Sequence, residues 1–358
     1  MRMVNFRSCV SSRNSSLELV RLLAMFMIVF YHLILFFIEP IDSSPIYKAV
    51  QIPVHIGVIL FVLISGYFGI KPTFHGFFKI ICIVAVYYLP LRLWYVNQMG
   101  MGGMAMLDSF HILSKTPYWF VRTYLCLYLI SPMLNKCLKD ISFRERMYYI
   151  FAFAIIAVYL GMMQSDITLI DGKNIANFIL IYIIGNTIRI KQNRIVGFSN
   201  WRFWGGFFIL NVVLMFLYVL FYNTKVSDLI WDWSFPYYSP FIIVNSIIFF
   251  IPFTRYKINS PAINYVAASV FSIYIIHHQP VLLEKCLKPL AYYLYEMAAR
   301  SEVMCIIMMG MFAFFVMLMS VLIDKILTPL WEVLAKIGIY LEKEIMKVGA
   351  SYFESESV

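Results

Sequence analysis

An all-α polytopic membrane protein is predicted by three observations: an apolar composition, ten separate apolar runs, and basic residues unevenly shared between the segments that join them. Of the 358 residues, 62% are hydrophobic and 13% charged, whereas a soluble domain carries about 45–50% and about 25%. So little charge cannot cover a water-exposed surface. A nucleic-acid-binding module, a disordered regulator and a disulfide-stapled secreted domain are thereby excluded. The net charge of +10 does not point to nucleic acid, because the basic residues sit in short clusters between apolar runs, as membrane topology requires. Cysteines at 9, 82, 126, 137, 286 and 305 form no CxxC pair, and most fall within apolar runs, so they read as buried thiols.

A helical span needs about 20 apolar residues to cross about 30 Å of hydrocarbon. The first run, 17–38, ends in Phe-Phe-Ile-Glu-Pro with no small-residue cleavage site, so it reads as a span and not as a removed signal. Runs at 52–70, 77–96 and 118–138 follow, then 147–163 and 175–190, both short, then 203–222. A short run at 238–253 and two full ones at 262–283 and 303–327 complete the set of ten. The N-terminus, 71–79, 136–146, 189–202, 255–257 and the tail from Lys325 together hold nineteen Lys and Arg, against eight in the opposite set. The positive-inside rule then places both termini in the cytoplasm and an even number of crossings between them. Residues 1–13 read as a cytoplasmic segment, 14–328 as one membrane domain, and 329–358 as a tail. In that tail apolar and charged residues mix at helical spacing, as in an interfacial amphipathic helix.

Ionisable side chains within a span are costly and mark functional positions by default. The first span holds Glu18, Arg21 and His32. Glu18 and Arg21 are three apart and share a face, so they can pair. Arg21 and His32 are eleven apart, just over three turns, and project from nearly the same face about 16 Å apart along the axis. An arginine at the cytoplasmic mouth and a deeper histidine can thus border one tunnel. That geometry suits an acyl-CoA donor: the guanidinium meets phosphate, and the imidazole acts as a general base. The bland alternatives are an interfacial ion pair and a packing histidine.

Four blocks, taken together, resemble the membrane-bound acyltransferase 3 family over about residues 14–325. SLELVRLLAMFMIVFYH resembles its first helix, with Glu18, Arg21 and His32 matching residue by residue. GVILFVLISGYF (57–68) is similar to its second, YWFVRTYLCLYLISPML (118–134) to its Trp-Phe helix, and FSIYIIHHQP (271–280) to its late Tyr-x-x-His segment. The family's arginine-rich stretch after the second helix is replaced here by Lys71, His75 and Lys79. The resemblance implies an O-acyltransferase, usually an O-acetyltransferase, of a bacterial-type inner membrane. It would use cytoplasmic acetyl-CoA and no metal, and acylate a surface polysaccharide or its lipid-linked oligosaccharide precursor. Larger relatives carry an extracytoplasmic hydrolase-like domain. This sequence shows none, so transfer is expected to finish in the membrane domain or on a partner.

The expected catalytic set is His32, Arg21 and Glu18, with Arg21, Lys71 and Lys79 contacting the donor. His32 either takes the proton of the acceptor hydroxyl or takes the acyl group itself. Ser65, Gly66 and Tyr67 interrupt an apolar helix, where a small residue serves close packing or passage of donor. Tyr274 and His277, three apart, are expected to face the acceptor or to sit in an aromatic belt. Trp119, Tyr124 and Tyr128 are expected to stack on sugar faces or to pack. His278 is expected to point elsewhere, and His55, His75 and His111 have no partner in the sequence. No zinc spacing and no phosphate-binding GxxxxGK[ST] occurs. Two readings without covalent chemistry compete with the enzyme. One is a transporter or flippase, which would favour helices broken at matching positions of two halves; the other is a scaffold of a glycan-assembly complex.

Overall fold

The computed structural model describes residues 14–114, 116–159, 171–191, 199–298 and 301–355. The expected segment 1–13 and the end of the run at 147–163 lie outside these. Among the described residues every regular element is helical. In chain order they are α1 (Ser15–Leu33, continued as a π-type turn over Ile34–Ile38), α2 (Pro45–Ala49), α3 (Gln51–Val54), α4 (Gly57–Phe68), α5 (Phe74–Gln98) and α6 (Gly103–Ser109). Then come α7 (Trp119–Lys139), α8 (Phe143–Val158), α9 (Ile175–Lys191), α10 (Asn200–Leu220), α11 (Lys225–Ser234) and α12 (Pro240–Arg255). The last are α13 (Pro261–Ala267), α14 (Val270–His277), α15 (Pro280–Leu282, continued as a π-type turn over Leu283–Leu287), α16 (Lys288–Met297) and α17 (Glu302–Ser355).

Helix starts follow local chemistry. The Asn14 side chain accepts from the backbone N–H groups of Ser16 and Leu17 to cap α1, and Thr73 caps α5 by accepting from Gly76. Ser142 and Glu145 form a reciprocal capping box at the start of α8. At the far end of α4, Gly69 takes a φ of +74° that a side chain resists, and the helix stops.

Each of the ten apolar runs contains helix. Five stretches are long and apolar enough to cross a membrane: Ser15–Ile38, Pro45–Phe68, Phe74–Gln98, Asn200–Leu220 and Glu302–Ile345. A sixth is the pair Pro261–His277 and Pro280–Met297, bent by 67° at its break. The others fall short for plain reasons. Helices α8, α9 and α12 have 16, 17 and 16 residues, and α7 carries Arg122, Asn135 and Lys136. The boundary drawn between 328 and 329 falls inside α17, which runs through Pro329 without a break. Packed neighbours make such a proline tolerable in membrane helices.

α1 lies against α4, α13, α14 and α17, and is therefore central. Its first turn is tied down by hydroxyl groups. Ser16 Oγ donates to the Tyr256 carbonyl at 2.7 Å, and the Ser260 N–H donates to Ser15 Oγ at 3.0 Å. α4 and α9 meet at two glycines. A Cβ on Gly66 would collide with the Tyr182 carbonyl, and one on Gly185 with the Leu63 carbonyl, so small residues set the approach of these backbones. α17 lies along α5, with the backbone at Gly338 close against Phe74 and Phe78 and a contact of 3.1 Å between His75 Nδ1 and the Ala335 carbonyl.

Candidate active site

Glu18, Arg21, Met25, Ile28 and His32 follow the 3-4-3-4 spacing that puts residues on one helix face, and all five line one cavity of about 460 Å³. At one end Arg21 Nη1 donates to Glu18 Oε1, and Glu18 is only 6% exposed. The Arg21 guanidinium also lies 5.9 Å from the centre of the Phe68 ring. Lys79 lines the same cavity and sits 4.7 Å over the Trp331 ring of α17. Between these cations and His32 the walls are mainly apolar, with Val58, Phe61, Ile83 and Phe271 among them.

The His32 end is built by the break between α14 and α15. Pro280 cannot continue the preceding helix, and α14 stops at His277 with His278 and Gln279 in the bend. Interrupted backbone at membrane depth is tolerated where it is buried in protein or lines a cavity; ahead of this break, Ala268, between α13 and α14, and Val270, Phe271 and Tyr274 of α14 line the cavity. His277 is 2% exposed. Its Nδ1 lies 2.7 Å from the Ile273 carbonyl, and its Nε2 lies 2.9 Å from Nδ1 of His32.

A carbonyl only accepts, so Nδ1 of His277 must carry the proton that binds Ile273. With both rings neutral, Nε2 of His277 then accepts, and Nδ1 of His32 must donate to it. The lone pair of His32 is left on Nε2. A chain of two hydrogen bonds thereby selects one tautomer, the arrangement a general base needs.

Aromatic rings enclose this dyad. His278 has its ring centre 4.9 Å from that of His32, and Phe36 stacks on His32 at 5.0 Å. His55 stacks between Phe235 at 4.2 Å and Tyr237 at 4.6 Å and meets Tyr31 edge-on at 4.9 Å. Tyr237 lies in the turn before α12. Burial, with the nearby Tyr31 phenol adding to it, pushes its hydroxyl far above the ordinary tyrosine range, so it stays a neutral donor. Among the described residues no three His, Cys, Asp or Glu side chains are arranged to hold a metal ion.

Several residues singled out in the sequence line this cavity: Glu18, Arg21, His32, Ser65, Lys79, Trp119, Tyr124, Tyr128 and Tyr274. Their surroundings differ. Ser65 Oγ donates to the Phe61 carbonyl at 2.9 Å and lies 3.4 Å from the Tyr124 hydroxyl, with no histidine bonded to it. The Tyr128 hydroxyl accepts from the Thr73 N–H at 2.9 Å, holding the start of α5. His277 stands behind His32. Gly66, Tyr67 and Lys71 are placed away from the lining. Gly66 serves the α4–α9 contact, Tyr67 meets Phe68 and Phe250 edge-on, and Lys71 is exposed in the loop before α5. Arg122 holds the loop ahead of α7, donating to the Thr116 carbonyl at 2.7 Å.

Four residues at the site were not found from the sequence: Tyr31, His55, Tyr237 and His278. The only sequence signal for His278 is Pro280. A helix stopped there no longer keeps consecutive residues on different faces, so both histidines can turn toward α1.

The helical membrane bundle thus holds a paired arginine at one end of a cavity and a hydrogen-bonded histidine at the other. The chain matches the family of the acyltransferase domain, in its acyltransferase 3 form, over residues 14–327, and it belongs to that family. No curated protein and no solved structure matches it.

Proposed function

We propose that the chain is an O-acyltransferase of a bacterial-type inner membrane. It moves an acetyl group from cytoplasmic acetyl-CoA to a hydroxyl of a surface polysaccharide or of its lipid-linked oligosaccharide precursor. The observation that carries this reading is the single cavity with Arg21 and Glu18 at one end and the tautomer-fixed His32 at the other. Ten helical crossings with both termini in the cytoplasm belong to the same proposal, supported by the nineteen-to-eight distribution of Lys and Arg.

Arg21, steadied by Glu18, and Lys79 bind the phosphates of the donor, as charge-assisted hydrogen bonds favour. The pantetheine arm follows the apolar walls and brings the thioester to His32. Nε2 of His32 removes the proton from the acceptor hydroxyl as its oxygen attacks the thioester carbonyl carbon. The C–S bond breaks, and the departing thiolate receives the proton from His32, leaving an ester and free coenzyme A. His277 accepts the Nδ1–H bond throughout and disperses the charge that His32 gains. Nothing is consumed beyond the two substrates.

The test is His32→Ala in membranes given labelled acetyl-CoA. Glycan labelling is expected to fall to background while the protein reaches the membrane at its usual level. Retained labelling would overturn the assignment.

A further inference from the structure

An acidic side chain sits within the last apolar span, where ionisable groups are costly and mark function by default. Asp324 of α17 lies inside the stretch Glu302–Ile345 and is 2% exposed. Its partner is on α5: the Tyr87 hydroxyl, from a side chain that is itself buried, donates to Asp324 Oδ1 at 2.7 Å. No step of the proposed transfer uses either residue, and neither lines the cavity between Arg21 and His32.

Their neighbours do line it. Ser272 of α14 and Trp331 of α17 lie beside the Tyr87 hydroxyl, and both belong to the cavity wall. Trp331 follows Asp324 by about two turns of α17 and shares its helix face. With its proton committed to Asp324, the Tyr87 oxygen offers only lone pairs to these neighbours. Lone pairs attract the N–H edge of an indole and not its carbocyclic edge, so they fix the rotation of the ring. Lys79 lies 4.7 Å over the face of that ring. An indole N–H lies in the ring plane, so the ammonium and the N–H serve different directions. Trp331 is 5% exposed, and its Nε1 is buried without a hydrogen-bond partner. Such a group calls for an acceptor from a ligand or water. The amide carbonyls of a pantetheine arm, stripped of water between apolar walls, have the matching need for a hydrogen-bond donor.

We infer that Asp324 and Tyr87 are a positioning pair for donor binding. They turn Trp331 so that its indole N–H meets an amide carbonyl of the pantetheine arm beside Lys79. The inference rests on the acyltransferase reading above and adds to it a carboxyl group and a phenol that touch neither substrate.

The test follows labelled acetyl-CoA in two ways: transfer to glycan by membranes holding the full chain, and equilibrium binding to the purified chain in detergent. Trp331→Phe keeps a ring for Lys79 and loses the N–H. Its KM and Kd for acetyl-CoA are expected to rise about fivefold, as the loss of one neutral hydrogen bond implies, with a smaller change in kcat. Tyr87→Phe combined with Asp324→Leu removes both polar groups at once, which a buried site tolerates better than the loss of one. It should raise both constants by a similar factor at a normal membrane level. Asp324→Asn still accepts from Tyr87 and should stay close to the wild type. Joining the paired change to Trp331→Phe should add little, because the pair acts through the indole. Unaltered donor constants in Trp331→Phe or in the paired variant, or full additivity between them, would overturn the inference. A wild type that binds acetyl-CoA but labels no glycan overturns the acyltransferase reading alone, and the binding constants then decide the pair. A wild type that binds no acetyl-CoA overturns both.

Discussion

Removing the His277 imidazole leaves Nδ1 of His32 without its acceptor, and the ring can then flip or change tautomer. His277→Ala is therefore expected to lower kcat by about 10²-fold or more, within the range of general-base catalysis, with KM for acetyl-CoA nearly unchanged. His277→Gln, which can still accept at that position, should recover part of the loss. Steady-state kinetics of both variants check this, and a fall in KM-controlled binding alone would contradict the orienting role. At the other end Arg21→Lys keeps the charge and the pair with Glu18 but loses the planar fork. KM for acetyl-CoA should rise about tenfold, with kcat held within a small factor. The residues legible in the sequence were those of α1, because Glu18, Arg21 and His32 lie on one uninterrupted helix where spacing fixes direction. Tyr31 lies on α1 too, one residue before His32, whereas His55, His278 and Tyr237 reach the same place from the end of α3, the α14 break and a turn. No periodicity links those positions, so only the packed bundle brings them together.

Between helices, Gly66 and Gly185 are the clearest case of a motif whose role packing decides. Gly66→Ala drives a methyl group into the Tyr182 carbonyl, and overpacking of this kind costs about 1–3 kcal/mol. The expected outcome is a lower unfolding midpoint in detergent and reduced membrane yield, with unaltered KM values in the protein that does fold. A changed acetyl-CoA KM at normal stability would instead return Gly66 to the donor path. The same element scale explains the proline at 329. The sequence marks it as a boundary, but Trp331 is buried, and both Ala335 and Gly338 lie against α5, so tertiary contacts carry the helix through the site where local preference alone would end it.

For the whole molecule, the apolar runs were legible because their length and composition report directly on the bilayer. The crossing number was less so, since helices of 16 or 17 residues sit at the lower edge of the about 17–25 that span hydrocarbon. Topology is decided by experiment. Reporter domains fused after residue 358 and ahead of residue 1 should both report the cytoplasm, and reporters at Lys173 and Lys225 the opposite side. Opposite placement of the two termini would require an odd number of crossings, and an N-terminus outside the cytoplasm would detach Arg21 from the side where the donor is made.

α17 spans 54 residues, and at 1.5 Å per residue such a rod is about 80 Å long, well over twice the thickness of the oily layer. More than half of it must therefore stand outside the hydrocarbon, yet its Trp331 closes over Lys79 at the end of the cavity proposed above to admit the donor. A shortened chain ending at Leu327 would keep its place in the bilayer and lose the doorpost. It should need several times more acetyl-CoA for half-maximal turnover, and labelled coenzyme should leave it faster.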